Sequence, residues 1–303
     1  MIEVTLRRYR FSRAALEGGE KIPDADPAAV HRWAVDGYLW PVAKTRLDTL
    51  LVERGLFESR SRAAAAVLAG DVRLTSGRRA EKPGQMVPGD ADVAVAEPPP
   101  FVSRGGIKLS NALDSFGVDP AERACLDIGS STGGFTDCLL QRGATAVIAV
   151  DVGYGDLDWR LRGDPRVHVL ERVNARALDP ALLPYRPDLI VIDVSFISLA
   201  KVLPAVLVCA DARFDCLALI KPQFEVGRER VGKGGVVRSP ADRRAALVAV
   251  GRTIVELGHP VLGYASSGLP GPAGNLETFV WTAESDRKGA AADVEVAALG
   301  VEP

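Results

Sequence analysis

Two lysines and two acids, far apart in the chain, occupy positions from which they can meet. Asp193 follows the apolar run Leu189-Ile190-Val191-Ile192, and Lys221 follows Leu217-Ala218-Leu219-Ile220. A short apolar run of this kind reads as a buried strand, so both charges emerge at the carboxyl edge of a sheet. Glu277 precedes the strand-like run 278–282, whose beginning returns to that edge if the strand is antiparallel. Lys108 heads a helical pattern from Ile107 to Phe116 that leads into the first strand. Together these types suit the activation of a poorly acidic hydroxyl. Lys221 would draw off the proton or stabilise the developing alkoxide, Asp193 and Glu277 would fix the lysines and the hydroxyl in line, and Lys108 would complete the electrostatics.

The element that must sit beside them is the stretch Ala124-Cys-Leu-Asp127-Ile-Gly129-Ser-Ser131-Thr-Gly133-Gly134-Phe135-Thr136. It reads as strand, glycine-rich turn and helix, the place where an open α/β sheet holds a nucleotide-like ligand. The turn is G-x-x-x-G-G rather than the G-x-G-x-x-G of dinucleotide binders. A second strand, Ala146 to Val150, ends in Asp151, about 20 residues on, where an acid can hold a ribose diol. Acids without a pyrophosphate-binding turn suit S-adenosylmethionine, whose amino group and sulfonium are cationic. Asp127, Gly129, Ser131, Gly133, Gly134, Phe135, Thr136 and Asp151 are the expected donor contacts. Methylation of a base nitrogen favours an Asn/Asp-Pro-Pro-Tyr tetrapeptide, and this chain has Asp193-Val-Ser-Phe196 at that point. Base-carbon methylation usually needs a nucleophilic cysteine, and none lies in a suitable loop. The residues favour oxygen, as in a ribose 2′-hydroxyl.

Strands read at 124–128, 146–151, 167–170, 188–193, 215–220, 260–266 and 278–282, with helices between them, the most periodic at 240–257. This predicts an α/β domain over 104–284: a Rossmann-like, doubly wound seven-stranded sheet of the methyltransferase kind with its last strand antiparallel. The 303 residues leave room for a second, small domain. A net charge of -2 means that any nucleic-acid site must be a local basic patch. No apolar run reaches membrane-spanning length and residues 1–30 lack a signal-peptide core, so a cytoplasmic protein without stable membrane association is expected. The four cysteines form no C-x-x-C pair and the three histidines are scattered, which argues for buried thiols and against a metal site.

Residues 45–96 read as a compact α+β module. Thr45-x-x-Asp48 resembles a capping box opening a helix that ends at Gly55, and Ser59 caps a second helix from Arg60 to Ala69. Short strands follow at 72–75 and 91–96, around a turn at Ser76-Gly77. Arg46, Arg60, Arg62, Arg73, Arg78, Arg79 and Lys82 make the module basic, as RNA phosphates require; scattered cations that merely solvate a small domain are the plain alternative. Glu97-Pro98-Pro99-Pro100 begins a stiff linker over 97–103. Residues 1–44 show no sustained periodicity and read as an extension, in part disordered; 285–303 read as a tail. The loop from Glu225 to Gly235 is glycine-rich and basic, equally readable as an RNA-closing loop or a flexible surface loop.

Two resemblances sharpen these expectations. Arg46-Leu-Asp, Ser61-Arg62 and Gly70-Asp71-Val72 resemble the alpha-L RNA-binding motif of small-subunit ribosomal protein S-four. Val102-Ser-Arg-Gly-Gly-Ile-Lys108-Leu, the 127–136 turn, Asp193-Val-Ser-Phe-Ile-Ser-Leu199, Lys221-Pro-Gln-Phe-Glu225 and Gly274-Asn-Leu-Glu277 resemble the TlyA-type, or hemolysin A, rRNA 2′-O-methyltransferases and, more distantly, the FtsJ-like ribose methyltransferases. The resemblance implies a Lys108-Asp193-Lys221-Glu277 tetrad and a cytidine ribose of 16S or 23S rRNA as substrate. It further implies Asn174 at the adenine and Asp193 beside the donor. Ribosomal RNA or ribosomal subunits, not DNA, are the implied partners; the oligomeric state is not legible. Two other readings compete: a non-catalytic RNA-binding assembly factor on a methyltransferase scaffold, which the intact tetrad disfavours, and a membrane-lytic hemolysin, which requires an amphipathic or apolar membrane segment that the sequence lacks.

Overall fold

The computed structural model describes residues 43–74, 78–96 and 99–301, together with a two-residue strand pair, β1 (Ala34–Val35) and β2 (Tyr38–Leu39). The expectations of partial disorder before residue 43 and of a turn at Ser76-Gly77 lie outside the described residues. The chain divides into two compact units, at Pro98 and Pro99.

The first unit holds β3 (Lys44–Arg46), α1 (Leu47–Glu53), α2 (Arg60–Ala69), β4 (Val72–Leu74), β5 (Met86–Pro88) and β6 (Val93–Val95). β3 pairs with β5 and β4 with β6, all antiparallel. Leu47, Leu50 and Leu51 of α1 pack on Ala63 and Val67 of α2 and on Val72 and Val87 of the strands. As expected, Ser59 caps α2, and Gly70 ends it with a left-handed φ of 85°. The expected capping box is corrected. Thr45 belongs to β3, Arg46 occupies the N-cap without a side-chain cap bond, and Asp48 binds Arg46 and Arg60 instead. β3 and β5, three residues each, are too short to leave a periodic signature in the sequence.

The second unit is a seven-stranded sheet. In chain order it runs α3 (Arg104–Phe116), β7 (Ala124–Ile128), α4 (Gly134–Gln141), β8 (Ala146–Asp151), α5 (Trp159–Arg162), β9 (Val167–Glu171), β10 (Leu189–Ile192), α6 (Leu203–Leu207), β11 (Asp215–Ile220), α7 (Pro222–Glu225), α8 (Pro240–Glu256), β12 (Val261–Ser266), β13 (Thr278–Ala283) and α9 (Val294–Leu299). The strand order is β12-β13-β11-β10-β7-β8-β9. Strands β7 to β11 are parallel, whereas β13 is antiparallel to both β11 and β12. The antiparallel last strand was expected, and its consequence follows: the start of β13 lies level with the ends of β10 and β11.

Side chains alternate across each strand. Leu126, Ile128, Ile148, Val150, Ile190 and Ile192 point to the face covered by α6, α8 and α9; Cys125, Val147, Val191, Leu217 and Phe279 point to the face covered by α3 and α4. Two boundary expectations change. Residues 100–103 are built into this unit, with Asp137 accepting from the Val102 amide at 2.8 Å. The stretch after Glu284 is not a tail: Ala298 of α9 is fully buried in the core, and Arg287 donates to Asp215, Glu284 and the Phe214 carbonyl. One apolar turn of helix and one paired arginine hold it, too little periodicity to read from sequence.

Candidate active site

The turn after β7 is shaped by backbone bonds. Gly129 and Ser130 donate to the Val150 carbonyl at 2.8 and 3.1 Å, and Gly133 donates to the Ser130 carbonyl at 2.7 Å. At Gly129, φ is +85° and a Cβ would stand 2.4 Å from the Asp193 carbonyl oxygen. Glycine there lets the donor turn and the loop after β10 touch. The Asp193 amide in turn donates to the Ile128 carbonyl at 2.8 Å.

From these edges the four expected side chains meet in two ion pairs. Lys221 Nζ lies 2.6 Å from Asp193 Oδ1 and donates to Ser195 Oγ at 2.8 Å. Lys108 Nζ donates to Glu277 Oε2 at 2.5 Å, with both side chains buried. Lys108, Asp193, Lys221 and Glu277 line one cavity, with Gly129, Ser131, Gly134 and Phe135 of the turn. Glu277 Oε1 is buried without a hydrogen-bond partner.

A second cavity, of about 430 Å³, opens from the other side of Gly129, Ser131 and Asp193, and Asp151 and Asn174 line it. That volume lies within the range of small-molecule sites. Asp151 has already spent part of its capacity, since its carboxylate accepts from the Ser131 and Gly153 amides at 2.8 and 2.7 Å. Each oxygen keeps a second lone pair for a ligand. Asn174 Oδ1 accepts from the Arg176 amide at 3.1 Å.

Residues 101–284 match the model of the FtsJ-like methyltransferases. The chain belongs to the FtsJ-like methyltransferase family. It is 51% identical over 240 residues to a 16S/23S rRNA (cytidine-2′-O)-methyltransferase TlyA of Mycobacterium tuberculosis, covering 78% of this chain and 89% of that protein. It is 38% identical over 233 residues to Hemolysin A of Brachyspira hyodysenteriae, covering 77% of this chain and 97% of that protein. A solved structure from Streptococcus thermophilus, provisionally described as a hemolysin, superposes with a TM-score of 0.65 at 38% identity, over 86% of this chain and 96% of that one.

Within this methyltransferase domain the expected donor residues separate into two groups. Gly129, Ser131, Gly134, Phe135, Asp151, Asn174 and Asp193 line the cavities. Asp127, Gly133 and Thr136 do not; they support the turn from behind. Asp127 points to the α3 and α4 face, is fully buried, and accepts from Thr136 Oγ1 at 2.7 Å. Burial pushes its carboxyl up to about 7. Gly133, with φ +96°, receives the buried side chains of Leu157 and Leu161 where a Cβ would sit. Sequence reasoning placed Asp127 at the ligand because it stands near the strand's end, but strand alternation turns its side chain inward.

Ser195 and Glu225 are site residues that no sequence signal singles out. Ser195 is in the quoted Asp193-Val-Ser motif, and its hydroxyl holds Lys221. Glu225 accepts from Ser198 Oγ at 2.6 Å and from the Leu199 amide at 2.8 Å, tying the loop after Lys221 to the loop after Asp193. Ring contact of Phe196 with Phe224, centroids 5.3 Å apart, joins the same two loops.

In the first unit the basic residues are drawn largely into internal pairs. Arg46 and Arg60 both hold Asp48, at 2.8 and 3.2 Å, Arg62 pairs with Glu58 at 2.7 Å, and Arg78 stands 3.8 Å from Glu81. Arg79 runs across Gly70, where a Cβ would collide with its guanidinium. Arg73 bridges to Arg79 in backbone pairing, and Lys82 stays exposed.

Proposed function

We propose that the protein transfers a methyl group from S-adenosylmethionine to the ribose 2′-hydroxyl of a cytidine in 16S or 23S rRNA, in the cytoplasm. The observation that carries this reading is the meeting of Lys221–Asp193 and Lys108–Glu277 in one cavity beside the glycine turn. The lining supports the donor: acids at Asp151 and Asp193, glycine at the turn and no phosphate cradle fit a ligand with a ribose diol and a cationic end. When bound there, S-adenosylmethionine supplies the electrophilic methyl group.

The chain's own residues then have defined tasks. Lys221 donates one N–H to Ser195 and is held against Asp193 by their ion pair, and this tether leaves it an N–H for the acceptor hydroxyl. Such a donor holds the nucleophile in line and stabilises negative charge as the proton departs, an effect worth about 3 to 4 kcal/mol in comparable oxyanion sites. Asp193 keeps Lys221 in place and is the nearest carboxylate to receive the proton. Lys108 and Glu277 form the buried wall of the cavity, and the unpartnered Glu277 Oε1 offers an acceptor to the substrate ribose. The module over 45–96, with Arg46, Arg60, Arg62, Arg73, Arg78, Arg79 and Lys82, would hold the RNA in an alpha-L-like manner. Lys82, which is exposed, leads that contact, because Arg46 and Arg60 already share Asp48 and Arg62 holds Glu58.

The test is transfer of labelled methyl from S-adenosylmethionine to 16S and 23S rRNA, naked and in subunits, from a strain lacking the gene, followed by alkaline hydrolysis. Ribose methylation blocks strand cleavage at the modified position, so an alkali-resistant labelled dinucleotide is expected. Label confined to mononucleotides, or no label in any of the four substrates, would overturn the reading. Among the described residues, no helix is long and apolar enough to cross a membrane.

A further inference from the structure

Between α7 and α8 the chain runs through the glycine-rich segment 226–236, and both of its roots are fastened next to the site. At the first root, Glu225 is held by Ser198 Oγ and the Leu199 amide, four residues after Lys221. At the second, Asn275, buried and two residues before Glu277, accepts from the Val237 amide at 2.9 Å and donates to the Gly235 carbonyl at 2.8 Å. Inside the segment, Gly232 pairs with Val236, its amide donating to the Val236 carbonyl at 3.0 Å, and Gly234 and Gly235 turn with φ of 80° and 77°. Arg230 is drawn back toward Asp242 at the start of α8, 3.7 Å away. The segment is therefore a pinned strap on the catalytic rim, not a free loop.

Two of its cations are spare. Arg228 and Lys233 are exposed, and among the described residues neither has an ion-pair or hydrogen-bond partner through its side chain. Arg46, Arg60 and Arg62 of the first unit differ, since each must give up an acid to take a phosphate. A cation on a pinned backbone and without a counter-charge can neutralise a phosphate without first giving up a partner. We propose that residues 226–236 form a phosphate-gripping strap, with Arg228 and Lys233 neutralising two phosphates of the RNA strand that enters the catalytic cavity. The inference rests on the RNA-methylating reading above and names the part of the catalytic unit that holds the substrate backbone.

The test compares the full-length chain with Arg228→Ala/Lys233→Ala and with Lys288→Ala, which removes an exposed cation adjoining Arg287 at the opposite end of the sheet. Binding to transcribed 16S and 23S rRNA and to ribosomal subunits from a strain lacking the gene is measured from low to moderate salt, alongside S-adenosylmethionine binding by calorimetry. Loss of two phosphate contacts lowers the slope of log affinity against log salt by about 1.4 for single-stranded and about 1.8 for duplex RNA. The double variant is expected to show that drop with unchanged donor binding, and Lys288→Ala the wild-type slope. A double variant with the wild-type slope, or an equal drop in Lys288→Ala, would overturn the strap while wild-type methylation still stood. A wild-type chain that binds the donor but neither RNA nor subunits would instead remove the reading on which the strap rests.

Discussion

Lys108 Nζ and Glu277 Oε2 stand 2.5 Å apart although 169 residues separate them in the chain, and both side chains are shut away from water. Removing one partner of such a pair strands the other charge without solvent, at a cost of about 3 to 5 kcal/mol. Glu277→Ala is therefore expected to lower the melting temperature of the catalytic unit by roughly 6 to 20 °C, at about 2 to 4 °C per kcal/mol for a domain of this size. Lys108→Met/Glu277→Leu should recover most of that stability while transferring no methyl groups. Calorimetric melting of the three proteins decides it. A single variant that melts with the wild type would mean that the pair is not buried as described.

The Lys221–Asp193 pair predicts a different signature. Both residues act on one hydroxyl, so their losses do not add. Lys221→Ala and Asp193→Ala are each expected to slow single-turnover transfer by about 10² to 10⁴, and the double variant by no more than the worse of the two. Donor binding should separate them, since Asp193 lines both cavities and Lys221 only one. Calorimetry should find near-normal S-adenosylmethionine affinity in Lys221→Ala and weakened affinity in Asp193→Ala. Additive rate losses would show two independent roles and break the coupled assignment.

Much of this site was legible because short, continuously apolar runs end abruptly in charges. Asp193 and Lys221 follow fully buried strands, and the β13 reversal that brings Glu277 back follows from the methyltransferase reading of seven strands. What remained hidden depends on contacts that leave no periodic trace. Asp127 is turned away from the ligand by a one-residue alternation, Glu225 lies in a helix of four residues, and Asn275 acts through backbone groups of a glycine loop. The first unit was legible as two helices and a basic composition. The pairing of Arg46 and Arg60 with Asp48 was not, because Arg60 meets Asp48 from a different helix, 12 residues on.

Asp127 sets a pH dependence on stability. Burial raises its carboxyl from 3.8 to about 7, against the pull of the Thr136 hydroxyl. The folded chain thus holds this proton more tightly than the unfolded one, and between about pH 4 and pH 7 stability falls as pH rises. Above pH 7 the full cost of a buried carboxylate is present, of the order of 4 kcal/mol at one pKa unit per 1.36 kcal/mol. Asp127→Asn keeps a carbonyl for Thr136 and removes the charge. Its melting temperature should exceed the wild type's at pH 8, with the gap closing toward pH 5. Parallel pH profiles for the two proteins would count against a buried, proton-holding Asp127.

Glu225 touches neither member of the Lys221–Asp193 pair, yet it joins the two loops that carry them, so it is a positioning residue. Glu225→Ala opens that joint, and a shift of the order of 1 Å between reacting groups can cost about a hundredfold in rate. Glu225→Gln can rebuild it: the amide oxygen accepts from the Leu199 amide, and the amide nitrogen donates to Ser198, whose hydroxyl accepts as readily as it donates. The expected outcome is a large fall in kcat for the alanine variant, little change in donor affinity, and recovery of most of the rate in the glutamine variant. Burial holds the Glu225 carboxyl above the ordinary glutamate range, against its bonds from Ser198 and Leu199. Protonation of the wild type then adds an acid limb to its pH–rate profile, and Glu225→Gln should lack that limb. Wild-type kcat in Glu225→Ala, at an unchanged melting temperature, would show that the loops keep their register without the joint.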